Sequence, residues 1–456
     1  MPVRNKEVTE SEDLVNRNAT TSVILGLGET GLSVARYLAS QDETLRVADT
    51  RAQPPALSEL QKTVPGVELR LGEFGRDLLE DAAQLVVSPG VALHEPVVVE
   101  ARRRGIPVLG DIELFTRAVD APVIAITGSN GKSTVTSMVA AMLANAGYTV
   151  RAGGNLGTPA LDLLGAEAPQ FYVLELSSFQ LERTESLRAS VAVVLNVSED
   201  HIDRHGHVDV YADAKRRVYI NCEYAVVNRD DPRVQSMVEE PTTGFTLGEP
   251  AAGDYGVLEA GDQTWLAYGT ERLMTADGLP TAGRHNVANA LAALAVCEIS
   301  GAPRRPLIEA LRSFEGLPHR MQVVAERDAV TWVNDSKATN VGATAAALTG
   351  LERSVVLIAG GEGKGADFTP LREAAAGRLR AAILIGRDAR ELHETLSGLA
   401  PIEHAADLKE AVALAARYAQ PGDTVLLSPA CASFDMFDNF MARGTSFTRA
   451  VEEQLG

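Results

Sequence analysis

The 456-residue sequence predicts an α/β protein built from three domains, and three observations support this fold class. Short runs of β-type residues alternate with helical patterns along the chain, which is typical of parallel sheets covered by helices. Two glycine-rich loops, at residues 26–31 and 128–131, each follow a strand pattern and precede a helix pattern. The chain is also too long for one hydrophobic core, because single cores stop growing at roughly 250–300 residues.

We expect domain boundaries near residues 110 and 316, which gives domains at 1–110, 111–316 and 317–456. The strand patterns TSVILG, LRVAD, AQLVVSPG and IPVLG predict a Rossmann-like first domain, and TWVND, SVVLIAGG, AAILIG and DTVLLSP predict a Rossmann-like last domain. The central domain begins with the strand PVIAIT and continues with YVLEL, VAVVLNV and AVVN, as in a P-loop-type ATPase. From about residue 253 it is Gly-rich, so we expect irregular structure there, followed by the helix NVANALAALAVCEISG and the linker SFEGLPHRMQ.

Composition excludes several classes of partner. The chain has 42 basic and 61 acidic residues and a net charge of −19, which disfavours non-specific binding to nucleic acids or anionic membranes. No apolar run approaches the roughly 20 residues that a membrane helix needs. The polar start MPVRNKEVTESEDLVNRN lacks the apolar core of a signal peptide. The three cysteines, Cys222, Cys297 and Cys431, are scattered, so we expect a reduced, cytoplasmic protein without a disulfide framework.

The first glycine loop, VILGLGETG, has the spacing of a dinucleotide-binding fingerprint. Gly26, Gly28 and Gly31 follow a strand pattern, and Asp49 ends the next strand pattern 18 positions beyond Gly31. Such glycines allow a tight turn, close approach of the backbone to a diphosphate and close packing of the helix. Taken alone, this loop favours NAD binding.

The second loop, ITGSNGKST, predicts a site for the phosphates of ATP. Gly128 and Gly131 would let backbone N–H groups turn toward phosphate oxygens, and the helix that follows presents its positive N-terminus to them. Lys132 would contact the β and γ phosphates, while the hydroxyl of Ser133 or Thr134 would bind Mg²⁺. The loop is shorter than the usual P-loop, whose first glycine would fall at Ile126. A dehydrogenase has no need of a second nucleotide-binding loop, so this second loop argues against an NAD-dependent dehydrogenase.

Three further polar residues allow two interpretations each. Glu175 ends an apolar strand pattern, where it would either reach solvent or bind Mg²⁺ at the carboxyl end of the strand. His201 lies with His205 and His207 in DHIDRHGH, a pattern that could indicate zinc but lacks the spacing of common zinc sites. Lys215, in YADAKRRVY, would by its sequence alone belong to a solvated helix face.

The order of the motifs resembles the Mur ligases, the ATP-dependent amino-acid-adding enzymes of peptidoglycan synthesis. The resemblance runs from about residue 21 to the C-terminus and rests on ITGSNGKST, GGNLGTPA, LELSSFQLE, NVSEDHIDRHG, YADAKRRVY, GRHNVANALAA, GLPHRMQ, VNDSKATN, GGEGKGADF and LLSPACASFDMF. Among them, LELSSFQLE, NDSKATN and SPACASFD resemble the member that adds D-glutamate to UDP-N-acetylmuramoyl-L-alanine. The family architecture of UDP-binding, ATP-binding and C-terminal domains agrees with the division predicted above.

The resemblance implies that the first domain binds a UDP-sugar instead of NAD, with Gly28, Thr30 and Ser88 at the diphosphate and Asp49, Thr50 and Arg51 at the uracil end. It implies that Ser133, Glu175 and His201 bind magnesium, with two ions in all. It also implies that Lys215 is carbamylated by CO₂, which would turn a cation into an anionic oxygen ligand for Mg²⁺. It assigns no role to His205 and His207.

The remaining site residues are likewise implied by the resemblance. Asn155 would lie at the acceptor carboxylate. ATP would be bound by the loop residues Gly128, Ser129, Asn130, Gly131, Lys132, Ser133 and Thr134, together with Asn286, Arg320, Asp335 and Lys337. Sequence alone would give Asn286 and Asn289 a helix-capping role. D-Glutamate would be bound by Thr339, Lys364, Ser433 and Phe440.

Three alternatives remain open at this point. A related ligase could use another amino acid or stereoisomer, a nucleotide-gated binding protein could have lost catalysis, and an NAD oxidoreductase would leave the second loop and the third domain unexplained. We expect small-molecule substrates, a monomer, and no nucleic-acid or membrane partner.

Overall fold

The computed structural model describes residues 20–155, 157–239, 242–280, 283–351 and 353–456, without the side chain of Asp203. The polar segment before Thr20 lies outside the described residues. The chain divides into two compact units, and the first comprises Met1–Ala121, Gly153–Ala168 and Leu176–Arg188. The second comprises Pro122–Ala152, Pro169–Glu175 and Ala189–Gly456. The predicted boundaries near residues 110 and 316 stay predictions.

The first unit is built on a parallel five-stranded sheet of order β3-β2-β1-β4-β5, as in half of a Rossmann fold. Its strands are β1 Thr21–Leu25, β2 Thr44–Asp49, β3 Glu68–Leu71, β4 Ala82–Val87 and β5 Val108–Leu109. Its first helices are α1 Glu29–Ser40, α2 Leu57–Thr63, α3 Pro96–Arg103 and α4 Asp111–Ala118. The turn from β1 into α1 needs its glycines: Gly26 has a φ of +90°, and a Cβ at Gly31 would overlap the carbonyl oxygen of Gly26.

A nine-stranded sheet, of order β14-β13-β12-β11-β10-β9-β6-β8-β7, forms the first half of the second unit. Pairing is parallel from β8 through β12 and antiparallel from β12 to β14. The strands are β6 Val123–Thr127, β7 Val150–Gly154, β8 Phe171–Glu175, β9 Val191–Val194, β10 Tyr224–Asn228, β11 Thr243–Phe245, β12 Tyr255–Ala260, β13 Gln263–Tyr268 and β14 Glu271–Thr275. The next helices along the chain are α5 Lys132–Asn145, α6 Ser178–Leu181 (in the first unit), α7 Ile202–His205, α8 Val208–Arg216, α9 Pro232–Gln235, α10 Arg284–Ile299 and α11 Arg304–Ser313.

The expectation of irregular structure from about residue 253 is wrong. This segment forms the regular antiparallel strands β12, β13 and β14. Its glycines mark turns instead of disorder: Gly261 and Gly269, with φ of +61° and +52°, connect the strands at the two hairpins.

The second half of the second unit contains a six-stranded sheet of order β15-β16-β20-β17-β18-β19, parallel except for β15. Its strands are β15 Gln322–Arg327, β16 Val330–Asn334, β17 Val355–Gly360, β18 Leu379–Ile385, β19 Ile402–His404 and β20 Thr424–Leu427. Its helices are α12 Val341–Gly350, α13 Thr369–Ala375, α14 Ala389–Leu396, α15 Leu408–Tyr418 and α16 Phe440–Leu455. Separate apolar clusters cover its two faces, which explains the continuous hydrophobic runs in the sequence. The predicted α/β fold class is confirmed.

Candidate active site

The phosphate-type loop lies between the end of β6 and the start of α5. Gly128 and Gly131 have φ of +151° and +83°, and a Cβ at Gly131 would collide with the side chain of Asn289. The N–H groups of Ser129 and Asn130 donate to the backbone and side-chain oxygens of Asn196, over 2.9 and 2.8 Å. These two N–H groups therefore fix the loop against the residues after β9, and the N–H groups of the first turn of α5 lack partners within the helix, as at any helix N-terminus.

Two lysines converge on this loop. The Nζ atom of Lys132 donates to the carbonyl oxygens of Gly128 (2.7 Å) and Ser129 (2.9 Å), and Nζ of Lys215 donates to that of Gly128 (2.9 Å). Lys215 is only 1% exposed, so the solvated helix face suggested by its sequence is wrong. Burial, followed by the charge of Lys132, holds the pKa of Lys215 well below its usual value, and burial also lowers the pKa of Lys132.

Glu175 is the anionic counterpart of this cationic cluster. It ends β8 at 2% exposure, in register with Ile126 of β6, and its charge acts on Lys132, Lys215 and Arg320. The Oγ1 atom of the neighbouring Thr127 is buried and has no hydrogen-bond partner among the described residues. A buried carboxylate beside hydroxyl groups is the donor set that a hard cation such as Mg²⁺ prefers, so the residues present fit magnesium.

The histidine segment does not assemble a zinc site. His201 is the N-cap of α7 and has a left-handed φ of +55°, and its Nε2 lies 3.8 Å from Oδ2 of Asp200. The His205 ring packs against Tyr211 at 5.2 Å, and the His207 ring accepts a hydrogen bond from the N–H of Asp209, capping α8. Within the described ranges, no group of three His, Cys, Asp or Glu side chains is placed to hold a metal ion.

A cavity of about 430 Å³ opens next to the phosphate-type loop. Seven of the residues that we expected to bind ATP line it: Asn130, Gly131, Thr134, Asn286, Arg320, Asp335 and Lys337. Its apolar walls include Leu195, Phe245 and Leu247. The capping role considered for Asn286 and Asn289 is wrong, because Gly283 is the N-cap of α10 and Asn289 Nδ2 donates instead to Asn286 Oδ1 over 3.3 Å.

Arg320 and the residues after β16 connect the two sheets of the second unit at this cavity. Nη2 of Arg320 donates to Oγ of Ser133 over 2.7 Å, and burial lowers the pKa of this guanidinium. The Nζ atom of Lys337 lies 3.9 Å from the centre of the Phe440 ring, and burial with the charge of Arg320 lowers the Lys337 pKa to about 8. Asp335 accepts hydrogen bonds from Oγ of Ser428 (2.9 Å) and N–H of Met321 (3.2 Å), while burial raises its pKa to about 7.

We predict that Asp335→Asn changes how stability depends on pH. Because the pKa of Asp335 is raised from 3.8 to about 7, its protonated form stabilises the folded chain, and this stabilisation is lost as pH rises through 7. The free energy of unfolding of the variant, measured by thermal melts without nucleotide, should therefore rise relative to that of the wild type between pH 5 and pH 8, by at most about 3 kcal/mol. Asp423→Asn is the control: although burial opposes it, the hydrogen bond from Arg380 lowers the Asp423 pKa, so this carboxylate is ionised at both pH 5 and pH 8 and its variant should differ from the wild type equally at the two pH values. An equal difference at both pH values for Asp335→Asn would contradict the prediction.

The residues expected to bind D-glutamate are only partly brought together. Thr339 and Lys364 line a small pocket with His201, and its volume is only about 10 Å³. Ser433 and Phe440 do not line this pocket; Ser433 is buried after β20, and Phe440 begins α16. Cys431 is buried, and burial raises the pKa of its thiol to about 12.

Asp200 is a site residue that the sequence analysis missed. Its carboxylate accepts hydrogen bonds from Nζ of Lys364 (2.8 Å) and Nδ2 of Asn340 (3.0 Å), and Asn340 also donates to Oδ1 of Asn130. The Lys364 ammonium thus already binds a carboxylate of the protein itself. The only sequence signal was an acidic residue directly before His201.

The first unit contains a separate cavity of about 430 Å³ beside its glycine loop. It is lined by all six residues expected to bind the UDP-sugar: Gly28, Thr30, Asp49, Thr50, Arg51 and Ser88. Arg51 binds Asp49 through Nε (2.8 Å) and Nη2 (2.7 Å), and Leu27 N–H donates to Oδ2 over 2.7 Å. Although burial opposes it, these hydrogen bonds lower the pKa of Asp49 to about 2. Asn155 also belongs to the first unit, where it is exposed.

Comparison with known proteins covers nearly the whole chain. Family models described as "Mur ligase MurD-like, N-terminal domain", "Mur ligase middle domain" and "Mur ligase, glutamate ligase domain" match residues 20–110, 126–297 and 319–431. A UDP-N-acetylmuramoylalanine–D-glutamate ligase from Nitrosococcus oceani is 55% identical over 449 residues, 98% of this chain and 99% of the relative. A protein of the same name from Pseudomonas putida is 50% identical, over 94% of this chain and 96% of the relative.

Solved structures support the fold. UDP-N-acetylmuramate-alanine ligase from Thermotoga maritima has a TM-score of 0.61 at 18% identity, covering 95% of this chain and 99% of that chain. MurF ligase from the same organism, in complex with ADP, has a TM-score of 0.61 at 17% identity, covering 85% and 95%. No helix in the described part of this chain is long and apolar enough to cross a membrane.

Two glycine loops, two buried lysines at the second of them and three α/β sheets agree with the family models, which make this chain an ATP-dependent, amide-forming ligase. The family models together match more than half of the chain, and the relatives match almost all of it. The chain belongs to the Mur ligase family.

Proposed function

We propose that this protein is an ATP-dependent ligase that adds D-glutamate to UDP-N-acetylmuramoyl-L-alanine, in the cytoplasmic synthesis of peptidoglycan precursors. The observation that carries the proposal is the convergence of Lys132 and Lys215 on the Gly128 carbonyl, beside Glu175 and a cavity of about 430 Å³. The names of the Nitrosococcus and Pseudomonas relatives support the substrate pair. They disfavour the alternative of another amino acid or stereoisomer.

The proposed reaction has two steps. A carboxylate and an amine do not condense in water unaided, so the acceptor carboxylate first attacks the γ-phosphorus of ATP, releasing ADP and forming an acyl phosphate. The neutral amine of glutamate then attacks the acyl carbon, and phosphate leaves as the amide bond forms. The protein's contribution is to position three anions and to stabilise their charge. Lys132, Arg320 and Lys337 supply the cationic groups for the triphosphate.

Two Mg²⁺ ions form part of the proposal and would neutralise charge on the phosphoryl oxygens. Ser133, Glu175 and His201 are the residues that would hold them. The carbamate of Lys215 would add an anionic oxygen ligand, and two observations favour its formation: the amine is 1% exposed, and its pKa is lowered by burial and by Lys132. A neutral amine is the form that captures CO₂.

The other site assignments remain proposals of the same kind. The first-unit cavity would hold the UDP-sugar through Gly28, Thr30, Asp49, Thr50, Arg51 and Ser88, and Asn155 would contact the acceptor carboxylate. The ATP phosphates would also contact Gly128, Ser129, Gly131 and Thr134. Thr339 and Lys364 would bind the α-carboxylate of D-glutamate, with Ser433 and Phe440 at its side-chain carboxylate. We expect a monomer, which analytical ultracentrifugation would test.

The test is phosphate release by the purified protein with ATP, Mg²⁺ and UDP-N-acetylmuramoyl-L-alanine, in the presence of D-glutamate, L-glutamate or neither. We expect release only with D-glutamate, together with an amide product detected by mass spectrometry. Release with L-glutamate would keep the ligase class and overturn the substrate assignment. If ATP and the UDP-sugar bind without release under any condition, the protein is a nucleotide-gated binding protein and the proposal fails.

A further inference from the structure

Arg443, in the first turn of α16, is a charged side chain that the proposed reaction does not use. Its side chain is 1% exposed and is one of the largest fully buried side chains in the described part of the chain. Four hydrogen bonds hold it: Nε donates to Ser336 Oγ (3.0 Å), Nη2 to Ser336 O (2.8 Å), and Nη1 to Cys431 O (3.0 Å) and Ala432 O (3.3 Å). All four acceptors are neutral, and no ion pair of Arg443 occurs among the described residues.

The acceptors belong to two different loops at the carboxyl ends of adjacent strands. Ser336 follows β16 and lies between Asp335 and Lys337, which line the nucleotide cavity. Cys431 and Ala432 follow β20 and directly precede Ser433. The Ser336 hydroxyl also donates to the carbonyl oxygen of Phe440 over 2.8 Å. One guanidinium therefore connects the loop on the nucleotide side to the segments that carry Ser433 and Phe440.

The loop after β20 depends on such a connection because its backbone is constrained. Ala430 has a left-handed φ of +59°, which is costly for a residue with a Cβ. The chain passes so close to Gly361 that a Cβ there would overlap Ala432 O. Removing the guanidinium would take a hydrogen-bond donor from the buried carbonyl oxygens of Ser336 and Cys431, one on each loop, whereas Ala432 O would keep the N–H of Glu362.

We propose that Arg443 is a positioning residue that couples the nucleotide and amino-acid halves of the active site by fixing the loops after β16 and β20. This inference rests on the proposed function. Four of its five N–H groups are used within the protein, so Arg443 acts through Ser336, Cys431 and Ala432 and not by contact with substrate. Loss of Arg443 should weaken the binding of both ATP and D-glutamate, because residues proposed to contact each of them lie on these loops. The UDP-sugar, proposed to bind the first unit, should be unaffected.

The experiment measures KM for all three substrates in Arg443→Ala, with and without millimolar guanidinium chloride. We expect KM for D-glutamate and for ATP to rise by about tenfold or more, since displacements near 1 Å can cost up to about 10²-fold. The KM for the UDP-sugar should stay within about twofold of the wild-type value. Guanidinium can fill the space left by the Arg443 side chain, so it should partly restore the KM values for D-glutamate and ATP. Arg380→Ala is the matched control in the same sheet, because Arg380 binds Asp423 just before β20, at the opposite end of the strand from these loops, and its KM values should not change.

A merely structural role would reduce the amount of active protein without altering KM, and unchanged KM values with a lowered Tm would overturn the proposal. If Arg443→Ala does not fold, Arg443→Lys keeps the charge but cannot span both loops, so it should fold and still show raised KM values. Wild-type KM values in Arg443→Lys would equally overturn the proposal. Failure of the proposed function is distinguishable, because it would appear as the absence of D-glutamate-dependent turnover in the wild type.

Discussion

Replacing Lys215 by alanine should lower kcat by about 10²–10³-fold, the usual effect of removing one group that stabilises charge at a reacting centre. Lys215 is buried against the Gly128 carbonyl beside Lys132, where its ammonium form is disfavoured. If the functional form is the carbamate, the variant lacks an anionic oxygen ligand. Acetate or formate should then restore part of the activity by occupying the vacated space. The measurement is phosphate release at saturating substrates, with increasing concentrations of each acid.

Two comparisons make the Lys215 experiment decisive. Lys409→Ala removes an exposed helical lysine that pairs with Glu453, and it should retain wild-type activity with no response to acids. Rescue of Lys215→Ala by small primary amines instead of acids would show that the ammonium group is the functional form. That result would contradict the carbamate.

The second large effect is expected for Lys132→Met. Met keeps the length of the side chain but removes the cation proposed for the β and γ phosphates, so kcat should fall by about 10²–10³-fold. Lys132 donates to Gly128 O and Ser129 O, and ATP binding would exchange these hydrogen bonds for ones to phosphate oxygens. The KM for the UDP-sugar should not change.

Lys62→Met is the control for this experiment, because Lys62 is an exposed residue of α2 in the first unit. Phosphate release and ATP affinity, the latter by isothermal titration calorimetry, should be measured for both variants. An Lys132→Met protein with wild-type ATP affinity and turnover would show that the loop after β6 is not the phosphate site.

Much of the fold could be predicted from sequence because its strands are buried on both faces. Runs such as VIAIT and VVLIAG are continuously apolar, which is the pattern of parallel strands under two layers of helices, and they became β6 and β17. The prediction failed at residues 253–275, where glycine content was taken as irregularity. Gly261 and Gly269 instead connect antiparallel strands, and composition does not distinguish a glycine at a turn from a glycine in a loop.

The candidate site was predictable where its residues are adjacent in sequence. The loop at 128–134 and the strand-end residue Glu175 combine a local chemical pattern with a local structural context. Asp200 and Arg443 were missed, because their partners are distant along the chain: Asp200 binds Lys364, 164 positions away, and Arg443 binds Ser336, 107 positions away. Neither position carries a local pattern that would separate it from an ordinary surface charge.

The sequence alone therefore determined the fold class, the positions of both glycine loops and the family resemblance, since each depends on short-range spacing of apolar residues and glycines. Tertiary structure decided what the charged residues do. The sequence favours a solvated helix face for Lys215, and only the packing of α8 places its amine against the phosphate-type loop at 1% exposure. Likewise, the pKa of Asp335 is raised to about 7 only because the folded chain buries its side chain. Burial and the charges of distant residues set the ionisation of a side chain, and neither is encoded by its immediate neighbours in sequence.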